Sequence, residues 1–232
     1  MNIIPTDDNF EQYDLVIAPV LYMIKEGVAD ALEKFVRRGG TLVTGFMSGL
    51  VDQSDNVYLS GYPGPLRSLA GVWVEEIDAL APEQKNTVAF KDGMKAGCRM
   101  LCDIIHLESA EMIAEYTSDF YSGTPSVTRN PFGEGQTYYI GTVCDEEALS
   151  KILNMAVTDA KISPVIDTET QLEITYRETD TGRLHFVINF KDEPQELPPQ
   201  FAGERDLIND EVLKEGLQLK KYDVKIIFIK FA

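Results

Sequence analysis

Several groups of residues have types that could do chemistry. Glu75-Glu76 and Glu146-Glu147 are adjacent carboxylates, and two carboxyl groups can divide the roles of acid, base or nucleophile. Sequence neighbours point in different directions on a strand or helix, so neither pair builds such a site. A solvated face or a helix N-terminus accounts for them. His106-Leu107-Glu108 supplies a His-x-Glu pair that could orient and activate a thiol, and Cys98, Cys102 and Cys144 are the thiols available. A nucleophile of that kind sits on a tight strand-to-helix elbow flanked by small residues. Gly45-Phe46-Met47-Ser48-Gly49 stands where the elbow is expected and holds no cysteine. Ser48 does not fit either, because Phe46 and Leu50 lie two residues away where the turn calls for glycine. His106 therefore reads as a packed or surface histidine, and no catalytic residue is assigned.

The three cysteines lack CxxC spacing, so buried reduced thiols are expected rather than a disulfide framework or structural zinc, and no cofactor or metal is assigned. Met1 to Pro5 has neither the basic region nor the apolar core of a secretory leader. Twenty-one basic against thirty-eight acidic residues give a formal charge of −17, which repels nucleic-acid backbones and anionic lipid. No run approaches the roughly 20 apolar residues that cross a bilayer. A hydrophobic share of 44% over 232 residues excludes disorder and is enough for two domains, each with a core.

The elements that would position these residues begin with Leu15-Val16-Ile17-Ala18, a short apolar run closed by Pro19, as in a strand buried on both faces. After Gly27 the period becomes helical. Val28, Leu32, Phe35 and Val36 share one face, Asp30, Glu33 and Lys34 the other, Arg37 and Arg38 suit the C-terminal dipole, and Gly39 the left-handed cap. Thr41 to Thr44 is a second strand, and a strand-helix-strand crossover implies a parallel pair. Met100 to Leu107 and Gln136 to Gly141 read as further strands, the latter introduced by the turn Gly133-Glu134-Gly135. Asp145 to Ala160 reads as a closing helix with Leu149, Ile152, Leu153 and Ala156 on its apolar stripe.

A boundary near Ser163-Pro164 separates residues 1–163 from a different pattern in 164–232. Leu172, Ile174 and Tyr176 alternate with polar residues up to the turn Thr179-Asp180-Thr181-Gly182, and Leu184, Phe186, Ile188 and Phe190 alternate after it. This predicts a hairpin with those residues inward and His185 outward, in a small antiparallel β-domain. Tyr176, Phe186 or Phe190 could instead be stacking platforms of a carbohydrate-binding module, although their period-2 placement with Leu184 and Ile188 favours a core role.

Five stretches, YDLVIAPVLYMI, RGGTLVTGFMSGLVD, GYPGPLRSLAGVWVEEID, YSGTPSVTRNPFGEGQTYYIGT and YRETDTGRLHFVINF, together resemble the family-42 glycoside hydrolases, bacterial β-galactosidases. The resemblance implies a flavodoxin-like trimerisation domain, similar to the class I glutamine amidotransferase fold, followed by the C-terminal β-domain. It therefore implies an α/β fold with a mostly parallel sheet and helices on both faces. The family's (β/α)8 barrel, with its glutamate acid/base and glutamate nucleophile about 5 Å apart, has no counterpart among these residues. The implied role is non-catalytic: assembly of a homo-oligomer, a trimer in the family, and support of the parent's barrel, in a bacterial cytoplasm. The rival reading that comes with the amidotransferase likeness is a hydrolase using a cysteine with His106 and Glu108. Candidate interface residues are Tyr62, Pro63, Pro65, Leu66 and Arg67 of the GYPGPLR loop, which also has a plain bend to make, and Trp73, an aromatic anchor or a core residue. In the family a strand and a long helix precede Tyr13, so the sheet is expected to be N-terminally truncated, with an open edge that drives self-association.

Overall fold

The computed structural model describes Asn2–Phe231. The chain divides into two compact units, Met1–Ile162 and Ser163–Ala232. In the first, β1 (Leu15–Ala18), β2 (Met23–Ile24), α1 (Val28–Arg37), β3 (Thr41–Gly45) and β4 (Val51–Asp52) come first, then α2 (Arg67–Ala70) and β5 (Val72–Ala79). They are followed by β6 (Asn86–Phe90), β7 (Lys95–Leu107), β8 (Glu111–Tyr116), β9 (Pro125–Phe132), β10 (Gly135–Ile140), β11 (Thr142–Cys144) and α3 (Glu146–Asp159). The main sheet runs β1-β3-β10-β9-β8-β6-β7-β11, with β5 on the C-terminal half of β7.

The β1-α1-β3 crossover forms as its periodicity requires. Leu15 to Ala18 pair in parallel with Thr41 to Thr44, and Val28, Leu32, Phe35 and Val36 of α1 are buried. Gly39 takes the left-handed conformation (φ 113°) just past the helix. Leu42 faces a core with α1, while its neighbour Val43 faces a second core with Ile152 and Ala156 of α3. On α3 the buried stripe is Ala148, Ile152 and Ala156, with Leu149 turned outward.

The expected mostly parallel, flavodoxin-like and amidotransferase-like sheet with helices on both faces is not what forms. Within the nine-stranded sheet only the β1–β3 and β3–β10 pairs are parallel, and the rest is antiparallel. Helical cover is confined to α1, α3 and the single turn α2. A parallel pair needs a connection of a dozen or more residues, whereas β9 and β10 are joined by the tight turn at Gly133, φ 62°. Tight turns return the chain antiparallel, so a mixed, predominantly β unit results. β7 serves three partners: its start pairs with β6, its middle with β11 and its end with β5. Met100, at φ 68°, marks the irregularity between them.

The second unit contains β12 (Glu173–Thr179), β13 (Gly182–Ile188), β14 (Gln195–Glu196), β15 (Arg205–Asp206), β16 (Glu211–Val212), β17 (Gln218–Leu219) and β18 (Val224–Lys230). Five strands make an antiparallel sheet, β12-β13-β18-β15-β16. The hairpin closes on Thr179 opposite Gly182. Leu172, just before β12, and Ile174 on it pack toward the core as expected, but β13 is reversed: His185, Val187 and Asn189 are buried, while Leu184, Phe186 and Ile188 are partly exposed and Phe190 is 53% exposed. The core side is set by what covers it, namely Leu197, Phe201, Leu213 and Leu219, which pack with Val187 and Ile227. Both faces of β13 are apolar enough to be buried, and period-2 alternation alone does not say which.

Candidate functional site

The His106 neighbourhood is built by the β5–β7 pair. Trp73 lies directly opposite His106, and the two rings stack at 4.7 Å between centroids, 27° apart in plane. Glu75 falls at an irregularity in the β5 register between Val74 and Glu76. A bulge of this kind re-aims a side chain, and the Glu75 carboxylate meets His106 Nε2 at 2.6 Å. Glu108 is clasped by Arg67, whose Nε lies 3.1 and 3.0 Å from the two carboxylate oxygens and whose Nη2 lies 2.5 Å from Oε1. This bidentate contact raises the Arg67 pKa and lowers that of Glu108. Arg67 also donates to the Ser60 carbonyl at 3.3 Å and sits 6.0 Å from the Trp73 ring.

The result is a fixed aromatic and charged patch rather than a catalytic dyad. Cys98 and Cys102 are buried and Cys144 is half-buried. Cys102 lies four residues from His106 on one extended strand, roughly 13 Å at about 3.3 Å per residue, beyond hydrogen-bond reach. Burial pushes the Cys144 thiol up to about 12, away from the thiolate form a nucleophile needs. At the expected elbow, the residue in the strained left-handed conformation is Met47, φ 61°. A thioether there has no proton to give up. Ser48 is fully buried, receives the Thr44 hydroxyl at 2.9 Å and accepts the Leu21 N–H at 2.9 Å. It ties the loop after β1 to the end of β3. Among the described residues no group of His, Cys, Asp and Glu could hold a metal ion.

Of the candidate interface residues, Pro63 and Leu66 are buried, Leu66 at 1% exposure within the α1 core. Tyr62, Pro65, Arg67 and Trp73 are half-buried. The same patch includes a feature with no periodic signal in the sequence: Leu59, next to Ser60, is 99% exposed.

Tyr62 points inward to a second constellation that sequence reasoning missed. Its hydroxyl donates to Asp103 at 3.3 Å, and Tyr139 donates to the same Oδ2 at 2.6 Å and lies 2.7 Å from the Tyr62 hydroxyl. Asp103 is fully buried, and its Oδ1 has no partner among the described residues. Burial pushes its pKa up to about 7 against the opposing pull of the two tyrosines. The available signal was a carboxylate in the middle of the apolar run Leu101 to Ile105. With no exposed surface, this group serves the fold rather than a substrate.

In the second unit, Tyr176 and Phe186 are partly buried. Phe190 is exposed and meets Tyr222 edge to face, at 6.5 Å and 74°.

Residues 1–163 match the family model described as the β-galactosidase trimerisation domain, and residues 171–227 match the β-galactosidase C-terminal domain. The chain belongs to the family-42 β-galactosidases. It is 42% identical over 227 residues to the β-galactosidase LacA of Lactobacillus acidophilus, covering 97% of this chain and 34% of that one. To BgaA of a Planococcus species it is 40% identical, covering 98% and 34%. The crystal structure of β-galactosidase from Bacillus circulans sp. alkalophilus superimposes with a TM-score of 0.89 at 36% identity, over 96% of this chain and 34% of that one. The chain thus spans about a third of the length of its family-42 relatives, and the parts it matches are the non-catalytic ones.

Proposed function

We propose that this chain is the assembly portion of a β-galactosidase. The first unit joins subunits into a homo-oligomer, a trimer on the family's pattern. Hydrolysis of terminal β-galactosides with retention belongs to a (β/α)8 barrel of the parent protein, which the chain supports. The observation that carries this reading is the match of residues 1–163 to a trimerisation domain. The surface best suited to the contact is the Arg67, Trp73 and His106 patch with Leu59: its aromatic and arginine side chains are already held in place, so little side-chain entropy is left to lose on association. Three cysteines without a disulfide support a cytoplasmic location. No helix among the described residues is long and apolar enough to cross a membrane. Sedimentation of the purified chain against its Trp73→Ala and Arg67→Glu variants tests the assignment. Association of the wild type that both substitutions weaken is expected, and identical behaviour of all three would remove this patch from the interface.

A further inference from the structure

A concavity of about 760 Å³ between α3 and the sheet of the first unit has Arg129 paired with Glu111 and Asp159, and Lys151 with Asp92, with Lys91 and Glu147 as the other charges on its wall. A smaller one in the second unit differs. It measures about 400 Å³, and its wall includes His185, the cations Arg183 and Lys230 and the one acid Asp167, together with the apolar side chains of Ile166, Ile229 and Phe231.

His185 is 6% exposed, and its Nδ1 has no hydrogen-bond partner among the described residues. Its ring is fixed between Phe201, edge to face at 5.4 Å, and Tyr176 at 6.1 Å. A buried polar group left unpaired is costly, and this one cannot turn away to find a partner. Burial, with the Arg183 charge adding to it, lowers the His185 pKa, which favours a neutral ring able to donate one hydrogen bond and accept another. Arg183 is steadied over the Tyr176 ring at 4.8 Å and lies 6.0 Å from that of Phe231. It is paired with Glu178, whereas Lys230 has no ion-pair partner among the described residues. In a chain of net charge −17, a cavity wall with two cations against one acid, Asp167, makes a local exception.

We propose that this cavity binds a small organic carboxylate with a compact apolar body: the body on Ile166, Ile229 and Phe231, the carboxylate toward Lys230 and Arg183, and a polar atom at the His185 ring. The excess of cations over Asp167 favours an anion placed on the Lys230 side, and the carbon lining selects an apolar one.

Benzoate serves as the probe, with the uncharged benzyl alcohol as its comparison, on the whole chain. The protein has two histidines, His106 and His185, so His106→Gln leaves a single imidazole NMR signal that reports the cavity. Benzoate is expected to shift the His185 signal saturably. Benzyl alcohol should bind about tenfold more weakly, and Lys230→Met should weaken benzoate by a similar factor without changing the alcohol. His185→Phe, which keeps an aromatic ring between Phe201 and Tyr176, should weaken benzoate with the far-ultraviolet circular dichroism unchanged. Equal affinity for the two probes would reduce the site to an apolar hole and overturn the proposal, as would an unmoved His185 signal in a folded sample or benzoate binding indifferent to Lys230→Met.

Discussion

Trp73 and His106 lie opposite each other on adjacent strands, and their rings are stacked at 4.7 Å. Each is held from a second side, Trp73 by the nearby Arg67 guanidinium and His106 by Glu75. The patch is therefore preorganised, and Trp73, the single tryptophan of the chain, is a built-in reporter. If this face is a subunit contact, dilution through the dissociation range will red-shift its emission as the half-buried indole gains water. A wavelength independent of concentration, in samples whose sedimentation coefficient does change, would place the contact elsewhere. Arg67→Glu places an acid beside Glu108 and is expected to weaken association at least tenfold, about 1.4 kcal/mol.

The buried Asp103 predicts a pH dependence of stability. Its folded pKa is about 7 against an ordinary 3.8, so the folded state keeps this proton where the unfolded chain has lost it. The contribution is complete below about pH 4 and is lost as pH rises through 7. Asp103→Asn removes the titration. Denaturant unfolding at intervals from pH 4 to 8 should show the variant gaining on the wild type as pH rises, by up to about 4 kcal/mol at 1.36 kcal/mol per pKa unit. A constant difference between the two curves would show that the carboxyl does not titrate there.

Catalysis by this chain would need two carboxyl groups side by side. The residues of this chain match the trimerisation and C-terminal domains, which are not the catalytic ones. The purified chain is therefore expected to leave a chromogenic β-galactoside intact. Turnover that follows the protein through purification and disappears on replacing one of its carboxylates would contradict this.

What could be read from the residues depended on whether a pattern had one physical solution. The β1-α1-β3 unit did: a four-residue apolar strand, a helix with Val28, Leu32, Phe35 and Val36 on one face, and a glycine past its end admit little else. The turns at Gly133 and at Thr179 to Gly182 were equally legible from their chemistry. The sheet class was not, because one parallel crossover says nothing about strands added later, and β5 through β9 carry their partners' identity only in tertiary contacts. The faces of β13 inverted for a related reason: Val187 competes with Leu184, Phe186 and Ile188 for the interior, and the segment from Leu197 to Leu219 decides. The Trp73–His106 stack needed the β5–β7 register, which no sequence period encodes.

The open edge at β1 yields the last prediction. β1 ends the sheet, with β3 its one neighbour among the described strands. Ile17 is 48% and Val20 47% exposed, and Val20 holds φ 53°, a conformation uncommon for a β-branched residue. Beside them a groove of about 210 Å³ is lined by Ile4, Phe10, Val16 and Leu21 among others. Unpaired backbone and exposed apolar side chains on one edge invite another strand, while Asp14 and Pro19 at the two ends keep the exposed stretch to four residues. Reversible association is therefore expected rather than runaway aggregation. Ile17→Lys should suppress it by placing a charge on the edge, independently of Trp73→Ala, and combining the two should give a monomer over the whole accessible concentration range. Sedimentation velocity across that range is the measurement. A wild-type chain that stays monodisperse and monomeric throughout would show that the edge at β1 is closed without a partner, and would remove the reason for expecting association there.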